Sequence, residues 1–120
     1  MKLKHFKLKE FACPCCGQVK MDKEFLLKLD DLRDRCRFPF KITSGYRCEE
    51  HNRKIGGVKD SAHVKGLAVD IAVFSGSQRF DILSNGLIVG ITRFGPAKHF
   101  IHIDMDTSKP QHVIWTYDHE

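Results

Sequence analysis

Ser61-Ala62-His63-Val64-Lys65-Gly66-Leu67-Ala68-Val69-Asp70 decides how this 120-residue chain is read. Leu67, Val69, Ile71 and Val73 alternate with Ala68, Asp70 and Ala72. A period of two predicts a strand. Its second face carries one carboxylate between two small side chains, which leaves room for something to approach Asp70. An aspartate inside an apolar strand is costly unless it is paired or coordinates a metal. Downstream, His99-Phe100-Ile101-His102-Ile103-Asp104 contains a further strand, with Phe100, His102 and Asp104 on one face. Neighbouring strands lie about 4.8 Å apart, so facing residues on them can share an ion. Two histidines and one aspartate from these segments suit a three-ligand zinc site. Its fourth position would stay open for water, the feature that separates catalytic from structural zinc.

The remaining elements are placed around these two strands. Residues 8–21 read as a short helix followed by a Cys/Pro/Gly turn. Asp22 is a good N-cap, and Phe25, Leu29, Leu32 and Cys36 then recur on one helical face. Asp30, Asp31, Arg33, Asp34 and Arg35 form its polar side. Pro39 ends this helix, and 40–43 is a short strand. Ser44-Gly45-Tyr46-Arg47 is a turn, 49–54 a second helix, and Ile55-Gly56-Gly57-Val58 a loop. Residues 77–87 read as a helix that ends near Asn85-Gly86. Residues 88–94 read as a strand with Gly90 inside it, Gly95-Pro96 as a turn, and 112–117 as a last strand. With helices early and strands late, the expected fold is α+β: a single domain over 1–120, with a mainly antiparallel sheet and flanking helices.

The chain carries 20 Lys and Arg against 15 Asp and Glu, a net charge of +5, and 42% of its residues are hydrophobic. That is a globular composition and not a disordered one. The charge suits an anionic partner, with nucleic acid and cell-wall polymer both of that kind. No basic helix or aromatic ladder of a known nucleic-acid-binding type is present, so nucleic acid is not expected as a partner. No apolar run approaches the roughly 18 residues of a membrane helix, so no membrane association is expected. Met1 to Lys7 carry charge with no apolar stretch after them, so no signal peptide is expected. The chain is expected to be cytoplasmic as synthesised, with its site of action at the cell wall, and to be a monomer.

The five cysteines are Cys13, Cys15, Cys16, Cys36 and Cys48. An odd count in a cytosolic chain argues against a disulfide framework. Cys13 and Cys16 have C-x-x-C spacing beside Pro14 and Gly17. They form a possible second metal site or thiol cluster, which Cys36 or Cys48 could complete. His5, His51, His112 and His119 are read as ordinary surface or core residues.

Ser-x-His-x-x-Gly-x-Ala-x-Asp followed by a His-x-Asp strand resembles the zinc D-alanyl-D-alanine carboxypeptidases. That family also includes D-alanyl-D-alanine dipeptidases and phage L-alanyl-D-glutamate endolysins. Ser44-Gly45-Tyr46-Arg47, Asn52 and Gly56-Gly57 match the pattern of its small members, and the resemblance runs from about Phe6 to Asp104. It implies His63, Asp70 and His102 as zinc ligands. It implies Arg47 as the cation that stabilises an oxyanion or holds a substrate carboxylate, roles that suit an always-charged planar fork. The implied reaction is hydrolysis of a bond in a peptidoglycan stem peptide. The family usually has an acidic general base three residues before its last zinc histidine, where this chain has His99. A histidine can fill that role near neutral pH, so His99 is the expected base. Asp104 is expected to orient His102 from behind. The alternative is a zinc-containing module that binds cell wall or a protein with weak or no catalysis, as in the related Hedgehog signalling domain.

Overall fold

The computed structural model describes residues 2–117. A five-stranded sheet runs in the order β1-β2-β4-β3-β5. Its strands are β1 (Ile42–Ser44), β2 (Ala68–Ala72), β3 (Arg93–Pro96), β4 (Phe100–Asp104) and β5 (Val113–Ile114). Three of its four pairings are antiparallel, and β5 runs parallel to β3. The helices are α1 (Lys23–Arg35), α2 (Glu49–Lys54) and α3 (Gly76–Val89), with a 3₁₀ turn at Leu8–Phe11. The fold is α+β with a mainly antiparallel sheet, as the order of elements implies.

Register sorts the sheet into two faces. Asp70 stands opposite His102, Ala68 opposite Asp104 and Ala72 opposite Phe100, so these six residues share one side. Val69, Ile71, Ile101 and Ile103 point the other way and are fully buried in the core. There they join Phe25, Leu26, Leu29 and Leu32 of α1, and Ile82 and Val89 of α3. The apolar residues of the two central strands thus anchor the sheet on its helices. The polar residues between them are left to the opposite face.

Asp22 caps α1 as its sequence suggests, with its side chain accepting the Phe25 N–H at 2.9 Å. Asp30 departs from the expected polar face. It is buried and accepts the backbone N–H groups of Lys4 and His5, tying the N-terminal segment to the helix.

The expected end of α3 and start of the next strand also differ. The helix continues through Asn85-Gly86 to Val89, so residues 88 and 89 are helical. Gly86 is there for space: a Cβ on it would come within 2.8 Å of the Phe94 ring. Gly90, read from sequence as lying inside a strand, is the true stop. It caps α3 at φ 97°, a left-handed conformation that suits glycine. Gly95 and Pro96, expected in a turn, belong to β3.

Candidate metal centre and its cleft

His63, Asp70 and His102 come together on the polar face of the sheet. All three are buried, and each offers a ligand atom within 4.8 Å of the others. β2 and β4 bring Asp70 and His102 side by side. His63 arrives from the tight turns over 61–67, where its backbone N–H donates to Ser61 Oγ and its carbonyl accepts the Gly66 N–H.

The hydrogen bonds behind each ring fix which nitrogen faces inward. His63 Nδ1 lies 2.8 Å from the Gly45 carbonyl oxygen. A carbonyl can only accept, so Nδ1 carries the proton. In the neutral ring Nε2 is then a bare lone pair, 3.2 Å from Asp70 Oδ1. His102 Nε2 lies 2.7 Å from Asp104 Oδ2, and its Nδ1 lies 3.0 Å from the same Asp70 oxygen. With Nε2–H directed at Asp104, Nδ1 is the second inward lone pair. Two imidazole lone pairs converging on one carboxylate oxygen need a cation between them, either a proton or a metal ion. Neutral imidazoles and a carboxylate are the donor set of hydrolytic zinc, so the residues fit that ion.

Electrostatics agree with the geometry. Burial works to raise the Asp70 pKa, but the hydrogen bonds and charges of His102 and His63 outweigh it and hold the carboxyl well below its usual range. Burial alone would lower the His102 pKa. Asp104 and Asp70 prevail and raise it. Asp104 is itself kept ionised. Burial opposes this, but the bond from His102, the Asp106 backbone N–H and the nearby Arg93 overcome it. Arg93 Nε donates to Asp104 Oδ1 at 2.7 Å. Asp104 therefore sits behind His102 as the partner that sets its tautomer. Asp104→Asn is expected to weaken metal binding in the cleft by about 10- to 100-fold. A zinc titration of the metal-free proteins measures this, and unchanged affinity would remove Asp104 from the role.

Arg47 reaches the same place from the loop after β1. Its Nε donates to Ser44 Oγ at 3.0 Å and its Nη1 to Asn52 Oδ1 at 3.2 Å. These two anchors leave Nη2 facing Asp70 Oδ2 at 3.5 Å. The Arg47 N–H also donates to the His63 carbonyl at 3.3 Å, coupling this loop to the one that carries the histidine.

The cleft around these groups has a volume of about 440 Å³. Its walls include Phe100, on the strand face of His102 as expected, and residues that the sequence did not mark: Arg93, Lys109, Trp115 and Tyr117. Trp115 packs against His102 with ring centroids 5.5 Å apart and planes tilted by 52°, and Arg93 lies over the indole at 4.9 Å. Gly95 makes this possible, because a Cβ there would come within 2.5 Å of the Trp115 ring nitrogen. The available signal was the alternation of Val113, Trp115 and Tyr117, which puts both aromatics on one side of an extended segment.

His99 does not join the cleft. It is exposed just before β4 and is not among the residues lining the cavity. The Val73 N–H donates to its carbonyl, so the backbone is already paired there. His99 lies in the turn that joins β3 to β4, closed by the Ala97 N–H donating to the Phe100 carbonyl at 2.8 Å, so the strand alternation that places His102 does not reach it.

Cys13, Cys16 and Cys48 form a second group, within the same 4.8 Å limit. Cys13 Sγ lies 3.7 Å from Cys48 Sγ. The Cys13 thiol is drawn down to about 7, because backbone N–H groups of Cys48, Cys16 and Cys15 outweigh the opposing effect of burial. Cys36 stands apart, against Asp81 and Asn85, and burial pushes its thiol up to about 12.

Two imidazoles and a carboxylate at the foot of an open cleft are a donor set that mononuclear metallohydrolases use. A family model described as Peptidase M15 matches residues 4–104, and the chain belongs to that family. This is a family of metal-dependent peptidases. No curated protein matches the chain.

Proposed function

We propose that the chain is a zinc peptidase that hydrolyses a bond in the stem peptide of peptidoglycan, of the D-Ala-D-Ala carboxypeptidase or L-Ala-D-Glu endopeptidase type. One observation carries the reading: two imidazole lone pairs and a carboxylate converge at the foot of a cleft that also receives a fixed guanidinium. His63, Asp70 and His102 would hold the zinc. When bound, zinc supplies a Lewis acid for the scissile carbonyl and a water whose pKa falls to about 7. The chain's own groups do the rest. Arg47 offers its charge to the developing oxyanion or to a carboxylate of the substrate. Asp104 holds the proton of His102 on Nε2 and keeps Nδ1 turned inward. Burial raises the Tyr117 pKa, so its hydroxyl stays protonated as a donor in the cleft wall. Trp115 and Phe100 supply apolar walls for a peptide.

His99 has no part in this account. His99→Ala is expected to fall far short of the loss of about 100-fold or more that follows removal of a general base. Turnover of purified peptidoglycan by the two proteins decides the point, and a loss on that scale would bring His99 back.

A second reading has one observation in its favour. Among the described residues lining the cleft, the only carboxylates are Asp70 and Asp104, and both are held by cationic or imidazole partners. On that reading the chain binds a peptide without cutting it. Mass spectrometry of muropeptides after digestion separates the readings. Loss of one alanine or cleavage between alanine and glutamate supports a peptidase and tells the two types apart. Intact muropeptides from a zinc-loaded protein would leave the binding module.

A further inference from the structure

We propose that the chain holds a second metal ion, a structural zinc bound by thiolates. Cys13, Cys16 and Cys48 would bind it, with Cys15 as the fourth ligand. This inference stands apart from the peptidase reading and does not depend on it.

The site is built by two segments distant in sequence. In the first, Cys13-Pro14-Cys15-Cys16-Gly17 folds into a tight loop closed at both ends. The Gly17 N–H donates to the Cys13 carbonyl at 2.7 Å, and the Cys13 N–H to the Gln18 carbonyl at 2.9 Å. Gly17 sits at φ 75°, which permits the reversal. This loop presents Cys13 and Cys16 to one point. In the second, Cys48 stands at the N-cap of α2 and enters from the other side.

Backbone donors already face these sulfurs. The Cys48 N–H donates to Cys13 Sγ at 3.4 Å, and the His51 N–H to Cys48 Sγ at 3.4 Å. These contacts fix where the sulfurs point, and three sulfurs brought within 4.8 Å of one another have the spacing of ligands around a single ion. Cys15, exposed on the same loop, lies outside the group of three within 4.8 Å, and its thiol would turn in to supply the fourth sulfur. A four-sulfur set is soft and closed, which selects zinc and leaves no open position for water. On binding, each thiol gives up its proton to solvent and no electron moves.

The location gives the ion a task. Between the two segments, the Tyr46 N–H donates to the Phe11 carbonyl at 2.9 Å, beside the cluster. Gly45, whose carbonyl orients His63, and Arg47 flank that tyrosine. A metal joining Cys48 to the loop at 13–16 therefore staples the strand of chain that positions both.

The test is metal stoichiometry under reducing conditions, with zinc and cobalt as probes. Wild type is expected to bind two zinc ions by native mass spectrometry, and its cobalt form to show thiolate-to-cobalt charge-transfer bands. The His63→Ala/His102→Ala protein should keep one ion and those bands, which separates this site from the cleft. Cys48→Ser should lose one ion and most of the band intensity, Cys15→Ser should lose one thiolate's share of it, and Cys36→Ala should change neither. Should Cys48→Ser fail to fold, the double histidine variant still decides. The proposal is overturned if that variant binds no metal, if its cobalt form lacks thiolate bands, or if Cys48→Ser leaves the count and spectrum of wild type.

Discussion

His102→Ala is expected to strip the cleft of its metal and, with it, of hydrolysis. The ring gives its Nδ1 to the shared point and its Nε2 to Asp104, so its removal takes away a ligand and one of the partners of each of two buried carboxylates. Enzymes accelerate reactions by at least about 10⁶-fold, and activity should fall towards the uncatalysed background. The same variant should also lose some stability, because each buried carboxylate gives up one partner while Arg93 still holds Asp104 and His63 and Arg47 still face Asp70. Circular dichroism must therefore accompany the assay. A folded His102→Ala protein with wild-type zinc content would place the metal elsewhere.

Arg47→Lys should keep the cleft metal and lose about 100- to 1,000-fold in turnover, the usual scale for one oxyanion donor. The guanidinium uses one nitrogen on Ser44, one on Asn52 and a third towards Asp70. An ammonium is a single point of charge and cannot hold all three directions. Full zinc content with near-normal turnover would argue that Arg47 only packs the loop. A large rise in KM with turnover unchanged would assign it to substrate binding alone.

Asp70 and His102 were legible as neighbours because each strand keeps its chemistry on one face, whereas His63, in the turns over 61–67, was marked only by the motif and its family resemblance. Alternation put Asp70 on the face away from Val69 and Ile71, and His102 and Asp104 together on another strand; the sheet had only to make them neighbours. The first helix was legible for a similar reason, since its cap and apolar face are both local. What sequence could not supply depends on distant packing. Gly86 looks like a helix end until Phe94 is seen lying against it. Asp30 looks solvated until the chain before it folds back onto its carboxylate. Trp115 enters the cleft because β5 pairs with β3, a contact that no local pattern encodes. Cys36 and Cys48 were equal candidates to join Cys13 and Cys16, and the topology chose Cys48.

The most direct measurement follows hydrolysis of purified peptidoglycan while zinc is removed by a chelator and then titrated back. The account requires that released peptide or alanine vanish with chelation and return as zinc refills the cleft, and that His102→Ala show no return at the same zinc levels. Hydrolysis that persists in chelator, or a zinc-replete wild type that releases nothing, would contradict it.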